Sequence, residues 1–206
     1  PAGRQVKSVF STGYAFCAVL DDGTILTWGH PDWGGQQPDL EGRQVTSVFS
    51  TGGAFCAVLD DGTVFTWGHP ECGGQQPALP AERQVTSVFS TESAFCAILD
   101  NRTILTWGHP ELGGQQPVLP AGRQVTSVFS TIFAFCAVLD NGTLLTWGNP
   151  NYGGEQPNLP AGRQVTSVFS TGRAFCAVLD DRTVFTWGDL NEGGQPPVLP
   201  NRIASW

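Results

Sequence analysis

The sequence predicts an all-β fold: a β-propeller of about five blades, each blade one repeat of about 40 residues. Three observations carry this. The arginines of an Arg-Gln-Val motif stand at Arg4, Arg43, Arg83, Arg123 and Arg163, spaced 39, 40, 40 and 40 residues apart. Each repeat holds three short segments of strand composition and none of helical period. A unit of this size cannot bury both faces of its own sheet, whereas stacked copies can. The copies run approximately over 1–39, 40–79, 80–119, 120–159 and 160–199, and 200–206 starts a sixth copy or forms a closing tail. A whole number of copies suits closure into a ring, which removes exposed ends. The alternative is an open β-solenoid, which needs polar caps that the sequence does not show.

The second copy shows the plan. Val45 to Ser50 reads VTSVFS, alternating and β-rich. Ala54 to Leu59 reads AFCAVL, a short apolar run, and Thr63 to Trp67 reads TVFTW. All three have strand length and punctuation. Asp60-Asp61-Gly62 is a tight hairpin signal between the second and third. The third copy has Asp100-Asn101-Arg102 there, and the fifth Asp180-Asp181-Arg182. Arg disfavours positive φ whereas Asp and Asn tolerate it, so the Asp or Asn is expected to be the left-handed residue. Gly68 to Glu82 is rich in Gly, Pro and Gln. A fourth, irregular strand is expected near Gln76 to Leu79, with Pro77 and Pro80 suiting an edge strand and a turn.

The chain has 206 residues, 40% of them hydrophobic, enough for one domain with a core. No apolar run is long enough to span a bilayer, and no signal peptide is present. No methionine occurs, so the chain does not begin at its own initiator. The net charge of −8 argues against nucleic acid, whose binders present basic surface.

The segment AFCAVLDDGTVFTWGHPECGGQ resembles the repeat of the regulator of chromosome condensation family. The matching residues in the second copy are Asp61, Gly62, Val64, Trp67, Gly68, Gly74 and Gln75, and the tryptophan recurs at Trp28, Trp107, Trp147 and Trp187. The resemblance extends over all five copies. Family repeats are usually longer and number seven per propeller. Here the His before the apolar strand is absent, Pro replaces the Asn after Trp-Gly, and Gly-Gln is displaced by one residue. The resemblance implies a propeller and does not choose an activity, because family members include a nucleotide exchange factor, ubiquitin ligase modules and a plant UV-B photoreceptor. The photoreceptor's Gly-Trp-Arg-His-Thr motif is absent.

The copies differ mainly at two spots. One lies between strands one and two: Gly13-Tyr14, Gly52-Gly53, Glu92-Ser93, Ile132-Phe133 and Gly172-Arg173. The other follows Trp-Gly: Asp32-Trp33, Glu71-Cys72, Glu111-Leu112, Asn151-Tyr152 and Asn191-Glu192. In an antiparallel meander both spots fall at the same end of the sheet, opposite the Asp hairpin. Repeat proteins commonly place variation on their binding face. The expected partner-binding residues are Tyr14, Trp33, Cys72, Leu112, Ile132, Phe133, Tyr152 and Arg173. Neutral drift in tolerant loops is the competing explanation, but drifting loops usually become polar, and these carry aromatic and aliphatic residues of the kind that anchor interfaces.

Other constellations have plainer explanations. Cys17, Cys56, Cys96, Cys136 and Cys176 share one strand position and are expected to pack between blades. Cysteines a blade apart rarely meet disulfide geometry. Cys72 is the odd one, expected on the variable face. Free thiols lean towards a reducing compartment, which favours an intracellular location. His30, His69 and His109 recur at one position, where polar loop packing is expected over a metal. The five Trp-Gly tryptophans are expected to be inter-blade core. The repeated arginines are expected to tie blades together through carbonyls or the Asp turns. No nucleophile–base set, paired carboxylates or phosphate loop stands out, so neither enzyme activity nor a cofactor is expected. The expected partner is a protein, without nucleic acid or membrane insertion. A sugar bound as by a lectin, and guanine-nucleotide exchange suggested by the resemblance alone, are the alternatives.

Overall fold

The computed structural model describes residues 3–197. It contains five three-stranded sheets, each a meander in sequence order. Blade one is β1 (Val6–Ser11), β2 (Ala15–Leu20) and β3 (Ile25–Gly29). Blade two is β4 (Val45–Ser50), β5 (Ala54–Leu59) and β6 (Val64–Gly68), and blade three is β7 (Val85–Ser90), β8 (Ala94–Leu99) and β9 (Ile104–Gly108). Blade four is β10 (Val125–Ser130), β11 (Ala134–Leu139) and β12 (Leu144–Gly148), and blade five is β13 (Val165–Ser170), β14 (Ala174–Leu179) and β15 (Val184–Gly188). The chain is an all-β propeller of five blades, as the repeat predicts.

The apolar run of strand two follows from its place in the middle of a blade that is covered on both sides. Side chains alternate across it. In blade three, Phe95, Ala97 and Leu99 face blade two, with Val85, Val88 and Trp107. Ala94, Cys96 and Ile98 face blade four. Each interface therefore joins a leading face, carrying Phe and Trp, to a trailing face, carrying Ala, Cys and a β-branched or Leu side chain. First strands touch from blade to blade and line the axis. Beside them a backbone ladder runs from Gly13 N–H to Gly52 O, Gly52 N–H to Glu92 O, Glu92 N–H to Ile132 O, and Ile132 N–H to Gly172 O, at 2.8–2.9 Å.

Ring closure does not follow among the described residues. Their clusters join blades one and two, two and three, three and four, and four and five. Five blades with four interfaces make an arc. Its two ends betray themselves by exposure: Trp28 is 48% exposed where Trp67, Trp107, Trp147 and Trp187 are 7–9%. The expectation that all five tryptophans are inter-blade core thus holds for four.

Three local expectations are corrected. Near Gln76 the chain forms no fourth strand. Instead the Gln76 side chain does the work of one: its Oε1 accepts from Thr66 N–H and its Nε2 donates to Val64 O. Gln37, Gln116 and Gln156 repeat this amide clamp on β3, β9 and β12. A Pro-flanked segment cannot supply a ladder of its own, and a side-chain amide has the same donor–acceptor pair as a backbone unit. In the hairpins, Arg102 and Arg182 themselves take positive φ, 60° and 67°, like Gly23, Gly62 and Gly142. The preceding Asp or Asn has another task, accepting the Thr N–H two residues on, as Asp61 does from Thr63. Finally, the repeated arginines do not bridge blades. Arg4–Asp22, Arg83–Asp100, Arg123–Asp140 and Arg163–Asp180 are all pairs within one blade, at 2.9–3.7 Å.

Candidate functional site

The two variable spots meet at one end of each sheet. The turn after strand three is a short helical turn, Pro31–Trp33 in blade one, closed by a left-handed glycine. It is tied to the first variable loop by its own backbone, since His30 N–H donates to Tyr14 O and the Thr12 hydroxyl donates to Trp33 O. The same Thr bond recurs from Thr51 to Cys72, Thr91 to Leu112, Thr131 to Tyr152 and Thr171 to Glu192. Every blade thus presents its two variable positions side by side.

Within that frame the variable side chains pack on one another. Tyr14 and Trp33 lie with ring centroids 4.9 Å apart, and Phe133 meets Tyr152 edge-on at 4.8 Å. Packing continues into the next blade: Trp33 stacks on His69 at 4.6 Å, and the Arg173 guanidinium lies 5.4 Å from the Tyr152 ring centre. Where blade two has Gly53, a Cβ would strike the Trp33 ring and the Cys72 sulfur. At this pair of blades the two spots are matched in size: Trp33 of blade one takes the room left by Gly53 of blade two. Single-sequence reading found the spots but not this pairing, which needs the register across blades.

Exposure divides the eight predicted residues. Tyr14, Ile132 and Arg173 are exposed, and Trp33, Cys72, Leu112, Phe133 and Tyr152 are half-buried between loops. Arg173 is also held by Asp189 at 3.6 Å. A groove between blades one and two, lined by Trp33, Gln36, Phe65, Trp67 and His69, opens beside them. It includes Trp67, which the sequence reading assigned to the inter-blade core.

The His position begins the helical turn. In the fourth and fifth copies Asn149 and Asp189 stand there and accept the N–H of Asn151 and Asn191. The Nδ1 atoms of His69 and His109 are buried without a partner. No group of three or more metal-ligating side chains occurs among the described residues. Four of the strand-two cysteines, Cys17, Cys56, Cys96 and Cys136, sit between blades while Cys176 is only half-buried, and burial pushes the Cys17 thiol up to about 12 and those of Cys56, Cys96 and Cys136 higher still. Cys72 is raised too, chiefly by burial, with a hydrogen bond from Ser93 opposing. No helix among the described residues is long and apolar enough to cross a membrane.

Solved structures share this architecture. The ectodomain of the Physcomitrella patens receptor kinase CR4 matches with a TM-score of 0.63 at 19% identity, over 97% of this chain and 56% of that one. Human WBSCR16 matches with a TM-score of 0.63 at 15% identity, over 96% and 68%. Yeast RCC1 (Prp20), solved bound to Kap60, matches with a TM-score of 0.60 at 15% identity, over 90% and 56%. At these identities the likeness concerns the fold. The chain spans between 56% and 68% of the length of these three structures. No family model matches the sequence, and no curated protein does.

Proposed function

We propose that this chain is a non-catalytic protein-interaction or scaffold propeller of the regulator of chromosome condensation type, which binds a protein partner through the variable-loop face. One observation carries the reading: the two most variable positions of every blade converge on one face, and there blades one and four carry the aromatic pairs Tyr14–Trp33 and Phe133–Tyr152, with Arg173 of blade five over the Tyr152 ring. Tyr14, Ile132 and Arg173 make the exposed contacts, and the half-buried Trp33, Phe133 and Tyr152 hold the loops in shape beneath them. Such a rigid, aromatic-rich surface suits protein recognition. Five equivalent sugar sites would need equal residues in the five loops, which they lack.

The test is affinity capture from the native source with the wild type and a Tyr14→Ala/Ile132→Ala/Arg173→Ala variant that still folds. A control variant carries alanines on the opposite face, at Asn101 and Asp140. Loss of a defined protein in the first variant alone supports the reading. Equal capture by both variants would overturn it.

A further inference from the structure

Beside the variable loops, the groove between blades one and two has a lining that selects an occupant. We propose that it binds a basic, extended segment of the partner protein, with arginine or lysine heads at Asp32 and Asp39 and their aliphatic stems against Phe65 and Trp67. This rests on the protein-interaction reading of the loop face and gives the partner its chemistry.

The groove is particular to this pair of blades. Its volume is about 870 Å³. The same place between blades three and four, lined by Pro110, Glu111, Gln115 and Trp147, holds about 300 Å³. Two sequence differences coincide with it. The segment that crosses from blade one to blade two is one residue shorter than the others, which is why the first arginine spacing is 39 and not 40. Asp39 stands in that segment where the other copies have Ala78, Val118 and Asn158. Trp33 lines the side of blade one, and Phe65 and Trp67 that of blade two. Tyr14 and His69 already pack on the Trp33 ring, so it is a fixed wall and not an open platform for stacking a sugar.

Charge decides the occupant. Asp32 and Asp39 are exposed, and neither belongs to an ion pair among the described residues. No lysine or arginine lines the groove. Arg43 lies 6.0 Å from the Phe65 ring centre, so the ring tolerates a cation, but this one is tied to the Leu40 carbonyl and to Glu41. The surrounding face has the same sign. Glu71, Glu92, Glu111 and Glu192 are exposed at the loop end. Arg173, paired with Asp189, is the one lysine or arginine there among the described residues. The others stand at the hairpin end: Lys7 and the five repeat arginines around the start of strand one, and Arg102 and Arg182 in the hairpins. The molecule is thus polarised, with its loop end negative. Such a field favours a basic partner and speeds the encounter with it. An apolar lining beside the carboxylates suits arginine and lysine, whose stems bury while their heads stay at the rim.

Fluorescence anisotropy tests this with a labelled eight-residue peptide of alternating arginine and proline, and with the same peptide carrying neutral citrulline for arginine. The wild type should bind the arginine peptide, and the citrulline peptide at least about tenfold more weakly. Asp32→Asn combined with Asp39→Asn should weaken the arginine peptide at least about tenfold. Asn at position 39 keeps an acceptor for the Glu41 N–H that Asp39 now takes, so the segment holds its shape. Glu92→Gln combined with Glu111→Gln removes the same charge from the same face outside this groove, and should weaken binding less than about threefold. An arginine peptide that does not bind overturns the proposal. So does an equal loss in the two double variants, which would assign binding to the general field of an acidic protein, or equal binding of the citrulline peptide. If partner capture depends on Tyr14, Ile132 and Arg173 while the arginine peptide does not bind, the groove proposal falls alone. If the peptide binds as expected and capture ignores those three residues, the loop reading falls and the basic-segment groove stands.

Discussion

Blade three and the two terminal blades carry nearly the same sequence and live in different surroundings. Phe95 and Trp107 of blade three are buried at 0% and 7%, whereas Phe16 and Trp28 of blade one are about half exposed. Cys96 is sealed, while its counterpart Cys176 is partly open. The residues do not differ; their neighbours do. In a repeat array, stability is the sum of intrinsic blade terms and nearest-neighbour interfaces, so an end blade lacks one interface term. The same Trp is therefore a core residue in one blade and a half-exposed residue in another.

Truncating the two tryptophans should separate these roles most widely. Trp107→Ala should destabilise the folded protein by about 3–5 kcal/mol, while Trp28→Ala should change it by less than about 1 kcal/mol in the monomer. Denaturant titration at low protein concentration reads both, and equal losses would mean that blade one is covered in solution. A similar contrast holds for glycines. Gly113→Ala drives a Cβ to 2.7 Å from the Phe135 ring, in a backbone at φ 108°, whereas Gly193→Ala at φ 110° meets nothing nearer than 3.5 Å. The first should cost several-fold more than the second, whose loss reflects backbone strain alone, about 1–2 kcal/mol.

Thiol labelling should rank the blades without any substitution. Cys176 and Cys72 should react in the native protein, and Cys56, Cys96 and Cys136 only after unfolding, because burial opposes the thiolate. The smallest effect concerns the hairpins. Asp61 accepts from the hydroxyl and N–H of Thr63, which hold its carboxyl below the ordinary range, with Arg43 assisting. A depressed folded pKa gives stability that is present above the unfolded value and lost as pH falls below about 4. Asp61→Asn should leave neutral stability nearly unchanged and remove a small part of the acid sensitivity, since Asn141 makes the same turn bonds in blade four.

Much of the fold is legible in a single repeat. Ala54 to Leu59 is apolar without a break because both its faces are covered, and Asp61-Gly62 turns the chain between two strands whatever follows. Both are local facts, fixed by side-chain chemistry and backbone sterics within a few residues. The amide clamp of Gln76 was hidden, since a side chain that imitates a strand leaves no strand pattern. The left-handed Arg102 was hidden as well, because the hairpin's geometry overrides the preference of one residue. At the candidate site, the spots of variation were plain from the sequence, and the stacking of Trp33 on His69 was not.

The sequence alone settled the repeat, the three strands of each blade and the convergence of the variable loops, because period and alternation are properties of the chain itself. Only the tertiary structure decided which copies of Trp and Phe are core, since burial depends on what stands beside a blade. It also decided that, among the described residues, the five blades share four interfaces, because the angle from one blade to the next is set by packing between sheets and is not written in any one repeat.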